Sequence, residues 1–226
     1  MPMEIKPLVE KLSLEHRQIG DFTVRIGTLQ GRPVVATVTG MGTKLAKEGT
    51  SRLLDAMPVE RVVVVGITGA VDDVTPIGTM ILPEVVVDSA TGVEHRPSPL
   101  GDGTPRGRMW TGDTLLSDLD VIGRLRSEGV VSLDMETAAI ARVCEERGIP
   151  WSVFRVISDR ATDGTISEEV FRLSHMDGTP NKPAIARYFV KHPGSLPRMA
   201  RMAKDAKRAA EAAADAAIRA CVAAGV

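Results

Sequence analysis

The sequence predicts an α/β fold: three layers, with helices on both faces of a central, mixed and largely parallel sheet. Three observations carry this. Residues 61–65 (RVVVV) and 151–157 (WSVFRVI) are apolar, largely β-branched runs without alternation, as expected of strands buried on both faces. Segments of helical period stand between and after them, with Ala139 and Val143 on one stripe and Ile140 and Cys144 beside it. Strand-like and helix-like segments alternate along most of the chain, which is the pattern of a sheet built from crossover units.

The first strands are read from residues 22–29, where Phe22, Val24 and Ile26 alternate with Thr23 and Arg25. Gln30-Gly31-Arg32 turns the chain into residues 33–39 (PVVATVT), giving an antiparallel hairpin. Gly40-Met41-Gly42 breaks that strand. A helix follows with Leu45, Gly49 and Leu53 spaced four apart. After 61–65 the chain enters Gly66-Ile67-Thr68-Gly69-Ala70, read as a loop. Residues 80–87 form another strand interrupted by Pro83, 88–108 a Gly/Pro-rich loop, and 114–128 a helix. Asp134 is placed to cap the next helix, which Gly148 and Pro150 end. Residues 163–194 are irregular and polar, with a short helix near 184–190. The tail is helical: Met199, Ala203, Ala206, Ala210, Ala213, Ala217 and Ala220 step by three and four, with Ser195 as cap and Pro197 in the first turn.

Bulk properties set bounds. A chain of 226 residues suits one domain over 1–226. A 43% hydrophobic and 25% charged composition is globular, and a net charge of −1 offers no general surface for nucleic acid or anionic membrane. No apolar h-region opens the chain and no apolar run spans a bilayer. Cys144 and Cys221 form no C-x-x-C pair, which with the absent leader gives a cytoplasmic, disulfide-free expectation. His16, His95, His175 and His192 share no ligand spacing, so neither metal nor other cofactor is expected. Arg155, a cation inside an apolar strand, requires a buried carboxylate and reads as structural.

Ligands of such sheets bind beyond the carboxyl ends of the strands. That places Gly40-Met41-Gly42, residues 66–71 and Ser158-Asp159 at the site without naming a reaction.

Residues 133–159 (LDMETAAIARVCEERGIPWSVFRVISD) resemble the signature of the purine nucleoside phosphorylase/nucleosidase superfamily, most closely that of the methylthioadenosine/S-adenosylhomocysteine nucleosidases. The match is a Met-Glu pair opening a helix, then a strand ending in Ser-Asp. Weaker similarity runs from Met1 to about Asp163, and no motif maps beyond it. The resemblance implies a hydrolase that frees the base from a purine-type nucleoside. It assigns Glu136 to the ribose 2′ and 3′ hydroxyls, which two carboxylate oxygens suit. Met135 would pack on the sugar, Asp159 with its neighbour Ser158 would protonate the purine at N7, and Glu4 would activate water. Acid and base then work on opposite faces of an oxocarbenium-like sugar.

Departures from the family pattern shape the expectation further. Only three residues precede Glu4, so the resemblance implies a sheet lacking its first strand. Gly66 and Thr68 match the turn that binds phosphate in related phosphorylases, with valine at the arginine position and isoleucine at the hydroxyl position. Without that cation, phosphate would be poorly compensated for desolvation, which favours water as acceptor. Leu115, followed by Leu116, stands where the nucleosidases carry a base-stacking aromatic; Trp110 or Phe171 could serve instead. A phosphorylase and a non-catalytic nucleoside-binding protein are the alternatives. The family also implies a homodimer or higher homo-oligomer.

Overall fold

A computed structural model describes residues 1–164 and 166–226. The chain opens with helix α1 (Pro2–Leu12) and then forms three strands, β1 (Glu15–Ile19), β2 (Phe22–Leu29) and β3 (Arg32–Ala36). These make an antiparallel sheet in the order β1-β2-β3, so the expected hairpin is present with a third strand added on its outer side. Strand β1 (EHRQI) is exposed along most of its length, which is why no apolar pattern marks it.

Helix α2 (Thr43–Ala56) leads to β4 (Val62–Ala70). Short strands β5 (Met80–Ile81), β6 (Val85–Asp88), β7 (Glu94–His95) and β8 (Arg108–Thr111) precede α3 (Leu119–Ser127). Then come β9 (Val130–Asp134), α4 (Thr137–Glu146) and β10 (Trp151–Arg160). Helices α5 (Glu168–Phe171), α6 (Lys182–Lys191) and α7 (Leu196–Ala224) complete the chain. The second sheet has seven strands in the order β5-β10-β4-β9-β8-β6-β7. It is mixed: β10/β4, β6/β8 and β8/β9 are parallel, while β5, β7 and the short β4/β9 contact are antiparallel.

The layers follow from side-chain alternation. Val64 and Val153 point to one face, where Ala138, Ala141 and Cys144 of α4 and Ala46 of α2 cover them. Val63, Val65, Phe154 and Val156 point to the other, against Ala209, Ala213 and Ala217 of α7. The alanine stripe of the tail is therefore a packing surface of its own domain. Small side chains there let the helix lie close on the sheet.

Several sequence expectations are corrected. Residues 66–70 are not a loop but the end of β4, which pairs in parallel with β10 as far as Ala70 and Arg160, so that Ser158-Asp159 lie within the paired end of β10. The glycines in 66–70 hid this strand. Residues 88–108 contain β7 and lead into β8, and β9 carries the segment before Asp134; these strands are too short to show a period. The helix expected over 114–128 begins only at Leu119, capped by Asp118, whose carboxylate accepts from the N–H groups of Asp120 and Val121. Ser195 holds the N-cap position of α7 as expected, but its hydroxyl makes no capping bond and donates instead to the His192 carbonyl at 2.7 Å. No described helix is long and apolar enough to cross a membrane.

The two sheets are not joined by a strand among the described residues. Among the described residues, β3 pairs only with β2, and β4 meets β9 only at Gly69 and Ala70, leaving the Val62 to Thr68 edge without a strand neighbour on that side.

Candidate active site

Asp159 stands near the end of β10, just past an irregularity in its register with β4 at Ile157/Asp159. Such a break re-aims side chains at a sheet end. Its Oδ1 accepts a 2.5 Å hydrogen bond from Ser158 Oγ. A Cβ at Gly69 would lie 3.1 Å from Asp159 Oδ2, so the glycine leaves room for the carboxyl. Burial pushes the Asp159 pKa up, the Ser158 bond opposes this, and the Asp163 charge adds to the rise.

The second group is built at the β9–α4 junction. The N-cap position of α4 is held by Glu136 and not by Asp134 as expected, but Asp134, which ends β9, still accepts the helix's first N–H, that of Thr137, at Oδ2 (3.0 Å). Its Oδ1 accepts from Thr111 Oγ1 at 2.5 Å. Glu136, two residues on, takes the Gly42 N–H at Oε1 (3.2 Å). Arg155, buried in β10, brings these acids together. Its Nη2 lies 2.8 Å from Asp134 Oδ2 and 3.2 Å from Glu136 Oε2. Its Nη1 donates to the Ile67 carbonyl at 3.0 Å and lies 3.5 Å from Glu4 Oε1.

Glu4 reaches this cluster from α1. Its Oε1 accepts the Ile67 N–H at 2.9 Å, and its Oε2 pairs with the Met1 amino group. A Cβ at Gly66 would collide with Glu4 Oε1 and lie 2.7 Å from Arg155 Nη1. Gly66 is therefore a clearance residue, absent from the cavity wall but required for Glu4 and Arg155 to approach the strand. Burial pushes Glu136 up to about 7; Arg155 and the Gly42 N–H oppose the rise, while Asp134 and Glu4 add to it. Burial works against the Arg155 charge, and the three carboxylates more than offset it, so its pKa is raised. The carboxylate partner that the sequence demanded for Arg155 is thus a set of three.

Glu4, Thr68, Met135, Glu136, Ser158 and Asp159 all line one cavity of about 1000 Å³. Leu115 and Leu116 do not line it; Leu116 packs with Val71, Ile122, Leu125 and Val130 instead. Trp110 belongs to that same cluster, whereas Phe171 lines the cavity. The Thr68 hydroxyl donates to the Leu133 carbonyl at 2.7 Å and so is not free to donate to a phosphate. Sequence reasoning did not place Asp134 and Arg155 in the site. The signal for Arg155 was a cation inside an apolar strand; Asp134, at the end of the short β9, carried none beyond its place before α4.

A phosphorylase superfamily family model matches residues 1–101 and 98–191. The chain belongs to the phosphorylase superfamily. The match runs past Asp163, where sequence resemblance had stopped, to residue 191, so α5 and α6 belong to the family's own architecture. Among relatives of this superfamily member, a 5′-methylthioadenosine/S-adenosylhomocysteine nucleosidase of Tolumonas auensis is 28% identical over 204 residues, covering 76% of this chain and 87% of that one. The nucleosidase of the same name from Shewanella denitrificans is 27% identical over 194 residues, covering 72% and 84%. A crystal structure of the Helicobacter pylori nucleosidase of that name superposes with a TM-score of 0.73 at 16% identity, over 100% of this chain and 95% of that one. Futalosine hydrolase of the same organism gives 0.72 at 15% identity, over 100% and 95%. These structural likenesses show the shared three-layer fold.

Proposed function

We propose that this superfamily member is a nucleosidase that hydrolyses the N-glycosidic bond of a purine-type nucleoside of the methylthioadenosine/S-adenosylhomocysteine kind. The observation that carries the reading is the convergence of Glu4, Glu136 and Asp159 on one cavity. The nucleosidase names of its sequence relatives support it.

Each side chain then has a role that its surroundings suit. Burial raises the Asp159 pKa and so favours its protonated form, from which a proton is delivered to N7 of the purine. The bond from C1′ to the base nitrogen breaks with its electron pair leaving on the base. Glu136 accepts hydrogen bonds from the ribose hydroxyls, and Met135 packs on the sugar. Water adds to C1′ from the face opposite the base and passes a proton to Glu4. Arg155 holds Glu4 and Glu136 in register. Phe171 supplies the aromatic face that Leu115 does not.

Water as acceptor follows from the phosphate ligands. Valine replaces the arginine, the Thr68 hydroxyl is engaged, and Arg155 is neutralised by three carboxylates. A cytoplasmic location and assembly as a homo-oligomer belong to the same proposal, and sedimentation of the purified chain checks the second. The deciding experiment is base release over a panel of purine nucleosides with varied 5′ groups, with and without phosphate. Phosphate-independent release of free ribose is expected. Release of ribose 1-phosphate only when phosphate is present would make the chain a phosphorylase.

A further inference from the structure

Glu136, the acid assigned to the ribose, is held at both oxygens. Arg155 Nη2 lies 3.2 Å from its Oε2, and the Gly42 N–H donates to its Oε1 at 3.2 Å. Arg155 is fixed by its own buried strand and by two further carboxylates. Gly42 has no comparable support within its own helix. It stands at the N-cap of α2 with a φ of +96°, makes no side-chain capping bond, and is followed by a first turn without an acidic residue.

The missing support comes from Asp113, just past β8. Its Oδ1 accepts from Thr43 N at 2.7 Å, and its Oδ2 accepts from Thr43 Oγ1 at 2.5 Å. One carboxylate thus grips the first residue of α2 at two points. It satisfies an N–H that a helix start leaves without an internal partner, and it sets negative charge at the helix N-terminus. The approach is close, since a Cβ at Gly42 would lie 3.1 Å from Asp113 Oδ1. The positive φ there also favours glycine.

The sheet sets the spacing of this arrangement. Strands β8 and β9 are parallel, with Thr111 opposite Asp134. Thr111 Oγ1 donates to Asp134 Oδ1 at 2.5 Å, and Gly112 N donates to the Asp134 carbonyl at 3.0 Å, so the strand ends stay aligned. Asp113 stands two residues past Thr111, as Glu136 stands two past Asp134. The two strand ends therefore offer one carboxylate each to consecutive residues of one loop, Glu136 to Gly42 and Asp113 to Thr43. Asp113 itself is exposed and stands outside the set of residues that line the cavity.

We propose that Asp113 is a positioning residue for ribose recognition: its two-point grip on Thr43 aims the Gly42 N–H at Glu136 and so holds that carboxylate in the orientation that meets the 2′ and 3′ hydroxyls. This rests on the nucleosidase reading of the site. Glu136, tied at one oxygen by Gly42 and at the other by Arg155, cannot turn freely, and each oxygen keeps acceptor capacity for a hydroxyl. Without the grip, the Gly42 bond that favours the charged form of Glu136 is weakened. A group that orients a ligand-binding side chain matters through that side chain alone.

The test compares KM for ribonucleosides with KM for 2′,3′-dideoxy analogues in the full chain. Asp113→Ala removes both points of the grip, and Thr43→Val keeps the shape of residue 43 while losing the hydroxyl. Ribonucleoside KM should rise about 10-fold in Asp113→Ala and about 3-fold in Thr43→Val, the range of one net hydrogen bond. KM for the dideoxy analogues should not move, and Thr43→Ser should behave as the parent. Asp113→Ala added to Glu136→Gln should raise ribonucleoside KM no further, because the residue it positions is already impaired. An equal rise for both substrate types, or the full loss repeated on the Glu136→Gln background, would make Asp113 a helix cap only and overturn the proposal. Should Asp113→Ala not fold, identical behaviour of Thr43→Val and Thr43→Ser would overturn it as well. Base release by the parent and a selective ribonucleoside effect in Glu136→Gln check the underlying reading. If either is absent, that reading falls and the proposal with it; if both are present while Asp113→Ala keeps the parental KM, the proposal falls alone.

Discussion

Glu136 and Asp159 are both carboxyls buried in one cavity, and desolvation raises the pKa of each. Their surroundings differ. Glu136 touches a guanidinium and shares it with two further carboxylates, so its proton is balanced against neighbours of both signs. Asp159 has a hydroxyl neighbour and, among the described residues, no cation paired with it. The lesson is that burial alone does not set a role. A buried acid without a paired cation is fitted to hold and give a proton. One tied to a cation is fitted to accept hydrogen bonds in a fixed orientation.

The comparison breaks most sharply at Asp159. Asp159→Asn removes the donated proton, and base release should fall by about 10³-fold, within the range for a lost general acid. Binding of a nucleoside, read by calorimetry, should largely survive. Retained turnover would take the acid role away from Asp159.

Arg155→Ala tests the other neighbourhood. It leaves Asp134, Glu136 and Glu4 buried without their cation, a change that costs about 3–5 kcal/mol in comparable buried pairs. Chemical denaturation should show that loss, and a change below about 1 kcal/mol would mean that the acids had simply taken up protons.

Glu136→Gln should be milder. It keeps the shape and loses the charge in the hydrogen bonds to ribose, worth about 1.5–3 kcal/mol. KM for ribonucleosides should rise while that for 2′,3′-dideoxy analogues stays put. An equal rise for both would remove Glu136 from ribose recognition.

The last test is in pH dependence. A carboxyl raised from 4.5 to about 7 on folding binds its proton more tightly in the folded state. The stability it contributes is complete below pH 4.5 and is lost as pH rises towards about 7. Asp159 shifts in the same direction. Denaturation midpoints should therefore decline across that window in the parent and decline less in Glu136→Gln. A parallel decline in both would show that Glu136 is not the titrating group.

Much of the fold was legible because local burial writes itself into local pattern. The RVVVV and WSVFRVI runs became the paired core of β4 and β10, and the alanine stripe became the buried face of α7. Where pattern fails, the physics explains it. The glycines of 66–70 masked the second half of β4, because clearance for Glu4 and Arg155 outweighs strand propensity there. Strands β8 and β9 have four and five residues, too few to display a period.

By itself the sequence determined the α/β class, the two central strands, the tail helix, and the presence of Met135, Glu136, Ser158 and Asp159 in one motif. It also required that Arg155 find a carboxylate. Only the tertiary structure decided which ones, bringing Glu4 from 151 positions away and Asp134 from 21. It likewise put Leu115 outside the cavity, engaged the Thr68 hydroxyl, and left an open edge on β4. The reason is that propensity and periodicity act over a few residues, whereas partners of buried charges and strand edges are chosen by packing between segments far apart in the chain.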